Sequence, residues 1–263
     1  MARYSPEQHK AFAEAFERDG MVLLPGHFAA ETLTRWREAF EPLLQQKLAE
    51  VAGPGNRGEA RHYVTLPFSG VFADPSVVAD EDVLAIVEQV AGADPVMCQL
   101  ATDTPVLGST YQEVHRDTPE LFPGEVETPS FQLAVNFPLC DVTPENGAFE
   151  TTLGTHRMNR QEGMAAMEKG AAPMQTIPMK LGDVMIRDVR VLHRGTPNTT
   201  ASPRPMVVIG YSRRWYFRPE VHIDVPRETL EKLPARVQRL LRFNPVVERG
   251  EAASVENYTQ FAY

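Results

Sequence analysis

Apolar positions recur at helical spacing through the first ninety residues and at strand spacing after them. Ser5-Pro6-Glu7-Gln8 opens an amphipathic stretch, in which Ser5 can cap, Pro6 suits the first helical position and Gln8 completes a capping box. Gly20 is a natural stop. The short apolar run Met21 to Leu24 then ends at Pro25-Gly26. A second helical pattern sets Leu33, Trp36, Phe40, Leu43 and Leu44 on one side, with Pro42 expected to kink or split it. Glu81 to Val90 fits a further helix through Val83, Leu84, Ile86, Val87 and Val90. From Val96 the texture changes to short runs punctuated by Pro, Gly, Asn and Asp: VMCQLAT, TYQEVH, SFQLAVNF, AFETTL, QTIPMKL, DVMIRD, VRVLH and MVVIGYS. That rhythm predicts a β-sandwich or barrel and argues against a parallel doubly wound sheet. One helical stretch, Asn159 to Lys169, falls between strands. The tail from Pro226 to Phe243 aligns Leu230, Leu233, Val237, Leu240 and Leu241, with Pro234 as a potential break.

The 263 residues suffice for one large, mainly β domain with helical additions, so the expected division is a helical part over 1–92, a β core over 93–218 and a C-terminal helix over 226–243. A formal net charge of −9 repels polyanions, and no nucleic-acid partner is expected. Only five of the basic residues are Lys, however, and several Arg cluster between Arg187 and Arg218, which leaves a local anion site open. Cys98 and Cys140 form no Cys-x-x-Cys pair, so each is expected reduced in a strand. No apolar run approaches the roughly 20 residues that span a bilayer. The N-terminal stretch is amphipathic and charged, so a cytoplasmic protein without a signal peptide or membrane partner is expected. Monomer and homodimer both fit.

His115-Arg116-Asp117 carries the first chemical signal. On a strand, residues two apart share a face, so an imidazole and a carboxylate converge there. A third ligand from a facing strand would complete the two-histidine, one-carboxylate set of non-haem Fe(II) oxygenases. With 7 His and a handful more Asp, about 0.3 such matches arise by chance, so the tripeptide alone decides nothing. His222-Ile223-Asp224 matches too, but no histidine follows it, and His222 reads as a surface or packing residue. What lifts the first match is VLHRGTPNTTASPRP, in which His193 closes an apolar run and Arg204 follows eleven residues later.

Together these segments resemble the phytanoyl-CoA dioxygenase family of Fe(II)- and 2-oxoglutarate-dependent oxygenases. ERDGMVLLPGHF, DVTPENGAFETTLGTHR and GYSRRW are similar to further family segments in the same order, and the resemblance spans about residues 5 to 218. It implies a double-stranded β-helix, or jelly roll, with helices packed on one sheet. His115, Asp117 and His193 then match the iron ligands, and Arg204 matches the arginine that pairs with the distal carboxylate of 2-oxoglutarate, a task suited to a bidentate guanidinium. Gln99, Asn136 and Gln112 match or neighbour positions that line 2-oxoglutarate, with a buried structural hydrogen bond as the competing reading of each. The chain departs from the family pattern at Gly195, where many members carry a small hydroxyl residue, so Thr196 becomes the substitute candidate. Leu153-Gly154-Thr155-His156 also loses the usual proline, and His156 is expected to be structural.

The implied reaction couples Fe(II), 2-oxoglutarate and O2 to oxidation, most simply hydroxylation, of a small-molecule metabolite, releasing succinate and CO2. Asp117 argues against halogenation, which the resemblance links to Gly or Ala at that position. The competing readings are a jelly-roll metal- or ligand-binding module without catalysis, and a zinc-dependent hydrolase, in which Arg204 would have no role. RHYVTLPFSGVF and the stretch around Met164 and Met167 are expected to cover the iron mouth. Arg116, Arg213, Arg214 and Arg218 are candidates for an anionic substrate. Strand alternation puts Arg204, Met206, Val208, Gly210 and Ser212 on one face and Arg213 on the other.

Overall fold

The computed structural model describes residues 2–50, 55–122, 128–216, 218 and 221–248. Helix α1 (Pro6–Asp19) starts with the expected capping box, in which Ser5 Oγ accepts from the Gln8 amide and Gln8 Oε1 accepts from the Ser5 amide. Gly20 ends it at φ 78°, the left-handed region. A side chain at Gly20 would be excluded on steric grounds as well, since its Cβ would lie 2.5 Å from both His156 Nδ1 and Val191 Cγ1. Strand β1 (Met21–Leu24) follows, and then α2 (Ala30–Glu50), which runs on through Pro42 rather than splitting there. Its apolar stripe of Leu33, Trp36, Phe40 and Leu44 is buried, so packing outweighs the one hydrogen bond that proline removes.

The first ninety residues are not wholly helical outside β1, because Arg61–Thr65 forms strand β2. Helices α3 (Pro75–Val78) and α4 (Glu81–Ala91) follow, capped by Asp74 and Asp80. Strands β3 (Val96–Pro105), β4 (Gln132–Pro138) and β5 (Phe149–Thr151), helix α5 (Arg160–Glu168), and strands β6 (Gln175–Ile177), β7 (Val184–Asp188), β8 (His193–Gly195) and β9 (Met206–Ser212) build the β core. The tail does not form one helix. Pro234 divides it into α6 (Arg227–Leu230) and α7 (Ala235–Leu240), flanked by the parallel pair β10 (Val225–Pro226) and β11 (Val246–Val247). TYQEVH is not a regular strand; its pairing reduces to a single bridge between His115 and His193.

Two antiparallel sheets face each other in a double-stranded β-helix. The larger has the order β1-β7-β4-β9-β3-β2, and the smaller the order β6-β5-β8. Alternation sorts each central strand cleanly. Leu133, Val135 and Phe137 of β4, Val184 and Ile186 of β7, and Val207, Ile209 and Tyr211 of β9 join the main core with Phe16, Leu33, Trp36 and the apolar face of α4. Phe137 meets Phe28 and Trp36 edge-on at 5.3 Å each and is fully buried, the kind of contact whose truncation to Ala costs about 3–5 kcal/mol. The helices thus cover the outer face of the large sheet and leave its inner face to the space between the sheets. No described helix is long and apolar enough to cross a membrane.

Candidate active site

The inner face of the large sheet presents the residues that alternate with the core: Gln99 and Asp103 from β3, Gln132 and Asn136 from β4, Met185 and Arg187 from β7, and Met206 and Val208 from β9. Together with Phe149, His193 and Gly195 of the small sheet they line a cavity that opens to solvent. Arg204, Met206 and Val208 share this face, as the alternation predicts.

His115 and His193 lie side by side because their backbones exchange two hydrogen bonds, His115 N to His193 O at 3.0 Å and the reverse at 3.1 Å. Asp117 is brought in by its amide, which donates to Val189 O at 2.9 Å. Convergence therefore comes from three cross-chain bonds and not from strand alternation along His115–Asp117. Both Nδ1 atoms face carbonyl oxygens, Glu113 O at 2.7 Å and Val191 O at 2.9 Å. A carbonyl only accepts, so each Nδ1 carries a proton and each Nε2 is turned inward. The Nε2 atoms lie 3.9 Å (His115) and 3.5 Å (His193) from Asp117 Oδ1, and the three ligand atoms fall within 4.8 Å of one another.

Electrostatics act on His115 and Asp117 in ways that suit a ligating form. Burial, reinforced by the neighbouring His193, pushes the His115 imidazole down to about 4, so it is neutral at pH 7. Burial alone would favour a neutral acid at Asp117, yet Arg187, His193 and His115 hold its carboxyl well below the usual range. Arg187 does so directly, donating from Nη2 to Asp117 Oδ2 at 2.7 Å, while its Nε donates to Asn136 Oδ1 at 3.2 Å. Two imidazoles with inward Nε2 atoms beside one ionised carboxylate fit a divalent first-row metal.

Arg204 lies elsewhere in the cavity lining. It is buried, donates from Nη2 to Gly147 O at 2.7 Å, and leaves its Nε without a partner among the described residues, as befits a site that awaits an acceptor. Burial lowers it to about 10, so it stays charged at neutral pH. Gln99 lines the cavity and donates to Tyr63 Oη at 2.7 Å; Asn136 also donates to Val207 O at 3.2 Å. Gln112 lines it too but works as a clamp, accepting from the Gly195 amide at 2.9 Å and donating to Arg57 O at 3.2 Å.

Of the remaining expectations, those for Thr196, for Met164 and Met167, and for Arg116 need correction, while those for Arg213, Arg218 and His156 agree with the structure. Thr196 does not line the cavity, and its buried hydroxyl donates to Ala148 O at 2.8 Å. Met164 and Met167 are half-buried on α5 and do not reach the cavity, whereas RHYVTLPFSGVF contributes Tyr63. Arg116 is buried and donates to Thr155 O and Met158 O, and Arg213 straps Ser130 O to Val90 O, so neither faces the cavity. Arg218 does line it and donates to Asp117 O at 3.1 Å. His156 is buried under Gly20 and edge-on to Phe16. Sequence reasoning missed Arg57, Asp103, Gln132 and Arg187, and within RHYVTLPFSGVF it did not single out Arg61 or Tyr63. Of these, Arg187 left a trace, as a charge at an inward position of the alternating strand DVMIRD.

His27, Asp80 and Asp82 also gather within 4.8 Å. Their oxygens are already engaged: Asp80 Oδ1 accepts from two amides of α4 and meets His27, and Asp82 accepts from the Arg3 and Tyr4 amides and meets His9. This cluster ties the N-terminus to α4.

A phytanoyl-CoA dioxygenase family profile matches residues 16–206. The dioxygenase FrzG of Cladobotryum sp is 26% identical over 269 aligned residues, covering 91% of this chain and 87% of that protein. The dioxygenase olcK of Penicillium canescens is 25% identical, covering 87% and 78%. Among solved structures, the epimerase SnoN from nogalamycin biosynthesis, in complex with Fe3+, alpha ketoglutarate and nogalamycin RO, superposes with a TM-score of 0.64 at 20% identity, covering 79% and 84%. HygX of Streptomyces hygroscopicus, with nickel, 2-oxoglutarate and hygromycin B bound, gives 0.60 at 19% identity, covering 94% and 96%. With a profile match over most of its length and the jelly roll shared with these structures, the chain belongs to the phytanoyl-CoA dioxygenase family, whose members depend on Fe(II), 2-oxoglutarate and O2.

Proposed function

We propose that the protein hydroxylates a small-molecule metabolite, with His115, Asp117 and His193 holding Fe(II) and Arg204 taking the distal carboxylate of 2-oxoglutarate. The carrying observation is the pair of inward Nε2 atoms beside Asp117 Oδ1, set in one cavity with a buried, charged Arg204. Iron bound there would supply oxygen activation coupled to decarboxylation of 2-oxoglutarate to succinate and CO2. The side chains supply position. Glu113 O and Val191 O fix the imidazole tautomers, Arg187 occupies the second oxygen of Asp117, and Asn136 braces Arg187. Phe149, Met185, Val189, Met206 and Val208 supply the apolar part of a mixed wall and limit water around the reacting atoms.

Relatives include the epimerase SnoN and the carbocyclase SnoK, so the outcome of oxidation is a separate question from the cofactor set. Hydroxylation asks for no further acid or base, and both carboxylates among the described lining residues, Asp103 and Asp117, are engaged by arginines. Anaerobic titration with Fe(II) and 2-oxoglutarate tests the reading. A weak visible charge-transfer band should appear, vanish in His193→Ala and need more 2-oxoglutarate in Arg204→Ala. Absence of the band in the wild type refutes it; oxygen-dependent succinate release with a candidate metabolite, followed by mass analysis for one added oxygen, tests hydroxylation.

A further inference from the structure

Arg204 shares its end of the cavity with a resident carboxylate. Asp103 lines the cavity, and its Oδ2 lies 4.0 Å from Arg204 Nη2. Left as a pair, the two charges cancel and nothing remains to attract an incoming anion. A third group changes the balance. Arg61, on β2, is 1% exposed and donates from Nη1 to the same Asp103 Oδ2 at 2.8 Å, and from Nη2 to Thr196 O at 2.7 Å. Its guanidinium occupies the space over Gly195, where an added Cβ would come within 2.5 Å of Cζ and Nη2 and 2.6 Å of Nη1. The bare glycine is thus a condition for Arg61 to reach Asp103. Arg61 is the arginine in hydrogen-bond contact with the Asp103 carboxylate, so that pair closes on itself and Arg204, 4.0 Å away, keeps a charge for one incoming carboxylate. Burial alone would favour a neutral acid at Asp103, yet Arg61, Arg204 and Arg57 keep its carboxyl below the ordinary value, so it stays ionised at neutral pH.

We propose that Arg61 is a positioning residue for the cosubstrate, which engages Asp103 and so leaves the charge of Arg204 uncancelled for the distal carboxylate of 2-oxoglutarate. The proposal rests on the assignment of Arg204 above. It differs from a merely structural role for Arg61 in a specific way: removing Asp103 should repair the loss of Arg61.

The test measures the Kd of 2-oxoglutarate for the full-length, Mn(II)-loaded protein by calorimetry, with Mn(II) affinity and thermal melting followed in parallel. Arg61→Met should weaken 2-oxoglutarate by about tenfold or more with Mn(II) affinity unchanged. Arg61→Met/Asp103→Asn should return it to within about threefold of wild type, and Asp103→Asn alone should bind at least as tightly as wild type. Wild-type affinity in Arg61→Met, a double variant as weak as the single, or weaker binding in Asp103→Asn each overturns the proposal. Should Arg61→Met not fold, the Asp103→Asn arm still decides. Arg204→Met keeps the two claims apart, because undiminished 2-oxoglutarate binding there sinks the Arg204 assignment itself.

Discussion

Arg190 and Asp188 form a buried ion pair whose disruption should be felt through the whole protein. Their side chains are 1% and 0% exposed, with Nη2 to Oδ2 at 2.7 Å and Nε to Oδ1 at 2.9 Å; Arg190 Nη1 also donates to Thr128 O, and the guanidinium lies 4.7 Å from the Phe131 ring centre. Burial alone would push the Asp188 carboxyl up, but the hydrogen bonds and charge of Arg190 hold it below its ordinary value. Arg190→Met strands that carboxylate without a counterion, which costs about 3–5 kcal/mol. At about 2–4 °C per kcal/mol for a chain of this size, Tm should fall by about 6–20 °C. The damage should reach the site, since the same turn supplies Val189 O to the Asp117 amide and Val191 O to His193 Nδ1. Differential scanning fluorimetry and urea unfolding of Arg190→Met and Asp188→Asn/Arg190→Met provide the measurement. The double variant, with no bare charge, should recover part of the loss. A single variant within about 1 kcal/mol of wild type, or a double variant as unstable as the single, refutes the reasoning.

Arg187→Met should weaken Fe(II) or Co(II) binding by about 10–100-fold by releasing Asp117 Oδ2, read by metal titration; unchanged affinity counts against Asp117 as a ligand held by Arg187. Thr196→Val should lower stability by about 0.5–1.5 kcal/mol through the unpaired Ala148 carbonyl while leaving 2-oxoglutarate affinity within twofold; a larger affinity loss would restore Thr196 as a cosubstrate contact. Asp82, Asp103 and Asp188 all have depressed carboxyls in the folded state, so their stabilisation is present above the unfolded value of about 3.9 and is lost as pH falls below it. Tm should therefore drop steeply below about pH 4, and a flat profile to pH 3 contradicts the assignments.

Much of this was legible in the sequence because it is local. The capping box at Ser5, the alternation of β4, β7 and β9, and the fixed spacing from His193 to Arg204 each sit within one short stretch. What escaped depends on partners far along the chain. Arg61 and Asp103 meet across 42 positions, and an arginine read singly looks like surface charge, although Arg61, Arg116 and Arg190 are among the largest fully buried side chains. TYQEVH looked like a strand because of its composition, but its only ladder contact is the bridge at His115. VRVLH is apolar because it is buried as a turn, and the strand proper begins at His193.

The uneven use of the two basic residues has a practical side. Every cation lining the described cavity is an arginine: Arg57, Arg187, Arg204 and Arg218. The five lysines lie elsewhere, with Lys10, Lys169, Lys180 and Lys232 exposed and Lys47 half-buried. Amine-directed dyes, crosslinkers and resins will therefore decorate the outside and leave the cavity chemically untouched, which suits tethering the protein to a support. Guanidine-directed dicarbonyl reagents can reach the cavity arginines as well as exposed ones such as Arg18 and Arg239, and the part of the labelling protected by 2-oxoglutarate would report occupancy of the cavity without any turnover.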